Sequence, residues 1–280
     1  MKQQKRTTMR FLATAAAAFL AAATTTAASA QGTVKTGTLL VGSDLTYPPY
    51  NYFAAGNKPA GFDVELMTAL SKVLDQKIDF LDTRFENLII GVRGGQFDVI
   101  ASTLYVKPER EKQIDFIPYM RTGVSIAVAT SSGLSFKKPE DLCGHRVGSI
   151  KGAAWIEKLN ALASGSCKGN PVDSREFPTS PEATQALLAG GVDAQMEDSA
   201  VLADAVGKVN GRVKITTTEN FYPVIVGLGI RKGNAALKAQ LSKGLRTLQT
   251  NGFYDALLKK YNVSRPTMAE YDAVVSGAKN

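Results

Sequence analysis

Arg110, in the run KPEREKQID, and Asp198, in GGVDAQMEDSAV, are the two charges from which a binding chemistry can be built. A guanidinium grips a carboxylate through two parallel charge-assisted hydrogen bonds. An aspartate takes an ammonium. Tyr47 and Phe85 offer aromatic faces that cover an apolar stem or a cation. A helix starting just after Gly152, at Ala153, would point free backbone N–H groups and a positive dipole end at the same carboxylate. An anion site, a cation site and aromatic walls together describe a site for a free amino acid. Each residue also has a plainer reading. Arg110 is one charge on a solvated helix, Tyr47 a turn aromatic before Pro48-Pro49, and Asp198 a cap for the helix that Ser199 and Ala200 begin. The sequence holds no paired carboxylates, no Ser-His arrangement and no metal motif that would favour catalysis. It therefore reads as a non-enzyme without a cofactor.

What brings these residues together is the alternation of strands and helices. Thr38 to Ser43 reads as a strand. Phe62, Leu66, Ala69, Leu70, Val73 and Leu74 share one helical face. Lys77 to Leu81 is a second strand. Phe85, Leu88, Ile89 and Val92 make a second helical face, which Gly94-Gly95 ends. Phe97 to Ala101 is a third strand. This βαβαβ run signals a parallel sheet with helices on its faces. The pattern restarts with a strand at Ser125 to Ala129, a turn or short helix at Pro139, a strand at His145 to Ile150 and a helix from about Ala153. Ser180-Pro181-Glu182 then opens a helix, with Ser180 as cap and Pro181 at the first position. Strands follow at Val192 to Met196 and Val224 to Ile230. Two tail helices carry Leu237, Leu241, Leu245 and Leu248, then Phe253, Leu257 and Tyr261. Ligands of open parallel sheets bind at the carboxyl ends of strands. That rule collects Asp44, Tyr47, Arg84, Phe85, Ser102 to Tyr105, Arg110, Lys151 to Ala154 and Asp198 around one cleft between two α/β units.

The first 30 residues read as a leader. Lys2, Lys5, Arg6 and Arg10 precede an Ala-rich apolar stretch that ends in Ala28-Ser29-Ala30, an A-x-A cleavage pattern. No cysteine stands at the cleavage point for lipidation, and no Arg-Arg pair marks a twin-arginine route. Cleavage leaves 29 basic against 25 acidic residues, a net charge near +4 rather than the +8 of the whole chain. That modest, dispersed excess does not argue for nucleic acid. In an oxidising compartment Cys143 and Cys167 are a disulfide pair. A strand out and a helix back bring their ends together, and the bridge stabilises by about 3 kcal/mol. The competing reading is a metal site of Cys143, His145 and Cys167, whose spacing fits no structural zinc pattern.

The segments SDLTYPPYNY, GFDVELM, FENLIIGVRGGQFDVI, KPEREKQIDFIPY, EDLCGHRVGSIKG, GGVDAQMEDSAV and LSKGLRTLQTNGFYDALLKKY stand in this order over nearly the whole mature length. In that order and spacing the chain resembles the periplasmic amino-acid-binding proteins of ABC importers, the family 3 extracellular solute-binding proteins. The resemblance implies a type II periplasmic-binding-protein fold. Each of its two α/β lobes is a mostly parallel sheet flanked by helices, and two hinge strands join them. Lobe 1 would be residues 31–121 and 225–280, lobe 2 residues 122–224, with hinges near 120–124 and 222–226. By position, Arg110 would bind the ligand carboxylate and Asp198 its α-amino group. Asp44 would contact the ligand side chain, leaning the preference to a polar or cationic one. Tyr47 and Phe85 would sandwich the ligand. Thr103, Tyr105 and Ala153 would complete the site, the last through its backbone N–H. Tyr105, Lys107 and Ala153 depart from the family pattern, so a modified or opine-like amino acid stays open. The implied partner is a membrane permease, and the implied form is a periplasmic monomer. The rivals are a cyclohexadienyl dehydratase-like enzyme of the same fold and a sensor module acting on a receptor.

Overall fold

The computed structural model describes residues 32–277. The leader and its cleavage point lie outside the described residues. Twelve strands and nine helices follow one another in the described chain. The first unit holds β1 (Thr38–Ser43), β2 (Thr46–Tyr47), β3 (Asn51–Ala54), β4 (Lys58–Ala60), α1 (Phe62–Val73), β5 (Lys77–Asp82), α2 (Leu88–Gly94), β6 (Val99–Ile100) and α3 (Pro108–Glu111). The long strand β7 (Ile114–Ala129) leads away from it. Next come β8 (Arg146–Ile150), α4 (Ile156–Ser164), β9 (Asp173–Phe177), α5 (Ser180–Leu188), β10 (Ala194–Asp198), α6 (Ser199–Lys208) and β11 (Val213–Ile215). β12 (Phe221–Arg231) returns, and α7 (Ala235–Thr250), α8 (Phe253–Lys260) and α9 (Met268–Val275) follow.

The main sheet runs β5-β1-β6-β12-β7-β10-β8-β9, with β11 paired to β7. At one end β1 is parallel to both β5 and β6. At the other, β8 is parallel to both β9 and β10. Between these parallel triplets lie β7 and β12, antiparallel to each other along most of their length. β12 pairs with β6 on one side, and β7 pairs with β10 on the other. This is the two-lobed α/β architecture, with two long strands carrying the chain from one parallel set to the other.

The alternation rule accounts for most of this. Phe62, Leu66 and Leu70 recur at four-residue spacing and are buried on one face of α1. The tail returns to the first unit, where α7 packs against α1. Gly244 permits that approach, because a Cβ there would meet Leu70 Cδ2 at 3.0 Å. Four local readings need correction. The helix expected over Phe85 to Val92 opens with a 3-10 turn, Phe85–Asn87, before α2. The cap of α5 is Thr179, not Ser180, and its side chain accepts from the Glu182 N–H. Helix α4 begins at Ile156 rather than near Ala153. A third tail helix, α9, opens with a Thr267–Glu270 capping box. Cys143 and Cys167 form the expected disulfide, which removes them from any metal site. His145 lies against the Phe136 ring instead.

Candidate functional site

Arg110 sits on α3, whose first residue is Pro108, a residue suited to the first helical turn. The short helix turns the side chain inward, where it is only 8% exposed. Its guanidinium donates from Nη1 to the Tyr105 carbonyl at 2.8 Å and from Nη2 to the Gly152 carbonyl at 2.9 Å. It also lies 5.6 Å from the centre of the Phe85 ring. These contacts bring no carboxylate to it, and burial lowers its pKa to about 10. Gly152 reaches across the cleft in the left-handed region, φ +77°, with Glu86 Cα only 3.5 Å from where a Cβ would stand.

Asp198 closes β10 and caps α6, accepting from the Ala200 N–H at 2.9 Å. It is fully buried and accepts three hydroxyls as well: Tyr105 at 2.7 Å, Thr122 at 2.9 Å and Tyr50 at 3.0 Å. An ionised carboxylate has about four acceptor positions, so these four donors fill them. Burial raises the Asp198 pKa, and the hydrogen bonds oppose that rise. The cap reading and the site reading of Asp198 therefore both hold as geometry.

Glu197, beside it, was not legible as a site residue. It is fully buried, and its Oε1 accepts from the Tyr47 hydroxyl at 2.6 Å and from the Asp198 N–H at 3.0 Å. Its Oε2 has no partner among the described residues. Burial pushes its pKa up to about 8, so at neutral pH it is largely a neutral acid. The segment TYPPY thus sends two phenols, three residues apart, to two adjacent acids of the other unit. Nothing in the sequence marked Tyr50 and Glu197 beyond their places near Tyr47 and Asp198.

Thr103 adopts φ +48°, a left-handed conformation uncommon for a β-branched residue. Asp63, in the first turn of α1, holds it there. Its Oδ2 accepts from the Thr103 N–H at 2.7 Å and from its hydroxyl at 3.0 Å. The Tyr119 hydroxyl donates to the other oxygen. Burial pushes the Asp63 pKa up to about 6. Asp63 lies in the GFDVELM segment and positions Thr103 from behind.

Tyr47, Phe85, Thr103, Tyr105, Arg110 and Ala153 line one cavity, closed further by Ile150 and Trp155. Its volume is about 10 Å³, room for about one water molecule. A wider chamber of about 340 Å³ lies outward of it and shares Phe85, Arg110 and Ala153. Two ion pairs flank this region, Lys107–Glu157 at 2.5 Å and Lys151–Glu86 at 2.7 Å. Trp155 faces the inner cavity, its Nε1 donating to Ser149 Oγ at 3.0 Å and its ring 5.7 Å from that of Tyr105.

Three expected residues are placed differently. Asp198 lines neither the inner cavity nor the outer chamber and touches the cavity wall through the Tyr105 hydroxyl. Asp44 is fully buried but does not line the cavity. It pairs with Arg84 at 2.9 Å and accepts from the Thr46 hydroxyl at 2.6 Å and the Phe85 N–H at 2.9 Å. Ala153 lines the cavity, but its N–H donates to the Ile150 carbonyl at 3.2 Å, and the Gly152 N–H donates to Glu176 at 3.0 Å. The anion-binding helix start expected there is absent, because these residues form a turn and α4 begins later.

Residues 39–264 match the family of bacterial extracellular solute-binding proteins, family 3. The L-cystine-binding protein TcyJ of Escherichia coli (strain K12) is 30% identical over 226 residues, 80% of this chain and 82% of that protein. An ancestral arginine-binding protein, solved bound to arginine, superposes with a TM-score of 0.75 at 34% identity, covering 80% of this chain and 98% of that one. An ancestral amino acid-binding protein described as a precursor of cyclohexadienyl dehydratase superposes with a TM-score of 0.71 at 30% identity, covering 80% and 95%. The charged anchors, aromatic walls and paired parallel sheets thus sit in a chain that belongs to the bacterial extracellular solute-binding proteins, family 3.

Proposed function

We propose that the protein captures an amino acid or amino-acid derivative by closing its cleft and delivers it to an ABC permease. The observation that carries this reading is Arg110, a buried guanidinium whose hydrogen bonds go to two backbone carbonyls and to no carboxylate. A ligand carboxylate supplies the counter-charge that desolvation makes valuable there. Asp198 receives the α-ammonium, and Tyr47 and Phe85 flank the stem. Relatives named for cystine and arginine support the ligand class. Thr103 and Ala153 complete the pocket, with Ala153 acting through its small size.

The lobes divide at residues 31–121 with 225–280 against 122–224, and the hinges lie near 120–124 and 222–226. The register shift in the β7–β12 pairing between Phe221 and Val224 supports a bend there. Ligand held at once by Arg110 and Asp198 favours the closed state, because only that state offers both contacts. The mature protein starts at Gln31, is periplasmic and carries no lipid. It works as a monomer without turnover.

The test is thermal shift on mature protein stripped by unfolding and refolding, against the common amino acids, opines and prephenate. A rise in melting temperature with one chemical group of amino acids or derivatives is the expected result. A rise with prephenate alone, accompanied by release of an ultraviolet-absorbing aromatic product, would replace this reading with the dehydratase one.

A further inference from the structure

We propose that Tyr105 is a built-in occupant of the cleft: together with the Tyr47–Glu197, Tyr50–Asp198 and Arg110–Gly152 contacts it favours closure, and a ligand must displace its side chain to bind. This rests on the reading that Arg110 and Asp198 are the ligand's anchors. One residue meets both of them. The Tyr105 carbonyl accepts from Arg110 Nη1 at 2.8 Å, and the Tyr105 hydroxyl donates to Asp198 Oδ2 at 2.7 Å. Its ring lies against Trp155 and is 3% exposed. With that ring in place the inner cavity has room for about one water, too little for any amino acid.

The backbone beneath it is fixed. Val106 N–H donates to the Ile225 carbonyl at 2.8 Å, and Gly227 N–H donates to the Leu104 carbonyl at 3.0 Å. Space for a ligand that spans from Arg110 to Asp198 therefore comes from rotation of the Tyr105 side chain or from parting of the two units, and both break the Tyr105–Asp198 bond. Asp198 meets the cavity wall only through Tyr105, while the other two hydroxyls come from Tyr50 and Thr122, outside that wall, so Tyr105 is the donor whose displacement brings a cavity ligand to Asp198.

Selectivity follows from the same exchange. An ammonium makes a charge-assisted bond to Asp198 that is roughly twice as strong as a neutral one, so a zwitterion recovers more than the phenol gave. A carboxylate without an ammonium gains its bond at Arg110 but leaves Asp198 short of a donor. Tyr105 thus sets a threshold that both ligands must pass, and Asp198 sets the preference for α-amino acids over their deamino counterparts. It also lowers apparent affinity by the fraction of molecules held self-closed.

Trp155 is the chain's one tryptophan and reports on this cavity. The experiment compares wild type, Tyr105→Phe and Tyr105→Ser after stripping by unfolding and refolding. It reads Trp155 emission, acrylamide quenching and the radius of gyration by small-angle X-ray scattering. Tyr105→Phe keeps the ring and the fold and removes only the hydroxyl. The wild type is expected to be compact with a shielded tryptophan, and both variants larger and more readily quenched. L-arginine, titrated as probe against its deamino counterpart, should bind Tyr105→Phe about tenfold more tightly than wild type, with the preference for L-arginine retained. Identical radius and quenching in all three proteins would overturn the proposal. Should the radius respond to Tyr105 while neither probe nor any other amino acid binds, Tyr105's role in closure stands and the amino-acid reading of the site falls.

Discussion

The Tyr105 hydroxyl lies 2.7 Å from Asp198 Oδ2, which joins a residue just after β6 to the carboxyl end of β10, 93 positions later in the chain. This contact explains how a fully buried carboxylate is tolerated beside a second buried acid, Glu197. Asp198 is satisfied by three hydroxyls and one N–H, and Glu197 is kept neutral by desolvation. The nearby cationic group, Arg110, is spent on carbonyls and not on either acid. The cleft thus presents an unmatched cation and a matched anion, and its chemistry starts from that asymmetry.

Replacing Arg110 with Ala should remove binding while leaving the fold standing. Losing one partner of a buried charge pair costs about 2–5 kcal/mol in affinity, which is roughly 30- to several thousand-fold. The folded protein loses two hydrogen bonds to carbonyls and sheds a costly desolvated charge, so the melting temperature should move little. Calorimetry with whichever amino acid raises the melting temperature of wild type gives the comparison. Unchanged affinity in Arg110→Ala would remove Arg110 from the site.

The sequence carried the frame of this site and missed its internal wiring. Arg110 was singled out by its place beyond a strand end and by the resemblance, and its burial is what separates it from one charge on a solvated helix. The disulfide was legible because a strand and its return helix bring Cys143 and Cys167 close in any βα unit. The first parallel triplet followed from the alternation of strand and helix, but in the second β9 went unread, because its largely exposed DSREF run carries no apolar alternation. What stayed hidden depends on contacts between residues far apart in sequence. Tyr47 and Glu197 are separated by 150 positions, and Tyr50 and Asp198 by 148. No local pattern marks which of several tyrosines reaches which acid. The turn at Gly152-Ala153 was misread as a helix start because the residues after it suit a helix and the delay to Ile156 is set by tertiary contacts, among them Glu176 on the Gly152 N–H.

Stability should fall as pH rises through the neutral range, and Glu197 should be a principal cause. In the unfolded chain a glutamate ionises near its ordinary pKa of about 4.3, whereas in the folded protein it holds its proton up to about pH 8. Between these values the native state binds the extra proton, so unfolding becomes easier as pH increases. The slope is at most about 1.4 kcal/mol per pH unit from this group. Its contribution is fully present below the unfolded value and gone above about pH 8. Asp63, raised to about 6, adds to the lower part of the same window. Urea unfolding of wild type and Glu197→Gln across this range tests the assignment. The variant keeps an acceptor for the Tyr47 hydroxyl and should show a flatter profile; an equal slope in both proteins would acquit Glu197.

Removing the disulfide should destabilise without altering recognition. Cys143 and Cys167 are 24 positions apart, and closing a loop of that size in the unfolded chain is worth about 3 kcal/mol. For a protein of this length that corresponds to roughly 10 °C in melting temperature. The bridge lies outside the cavity lining, so the Cys143→Ser, Cys167→Ser double variant should bind as wild type does well below its transition. Calorimetric unfolding with and without reductant gives the first number, and a titration at low temperature gives the second.

Asp44 separates what position in the sequence suggests from what packing does with it. The resemblance makes it a contact for a polar or cationic ligand side chain. In the structure it is enclosed, paired with Arg84 and hydrogen-bonded to the backbone of Phe85. Burial raises its pKa, while the Thr46 hydroxyl and the Arg84 charge oppose the rise. Its work is therefore to anchor the turn that presents Phe85 to Arg110. Asp44→Asn keeps an acceptor for the Phe85 N–H and removes the charge that Arg84 faces. Arg84 retains Asp82 at 2.5 Å, so the loss in stability should be moderate, about 1–3 kcal/mol. Affinity should stay within about threefold for cationic and neutral amino acids alike, since the Asp44 carboxylate is already taken up by Arg84, the Thr46 hydroxyl and the Phe85 N–H. A loss of about a hundredfold confined to cationic ligands would mean that Asp44 leaves Arg84 on binding and reads the side chain directly.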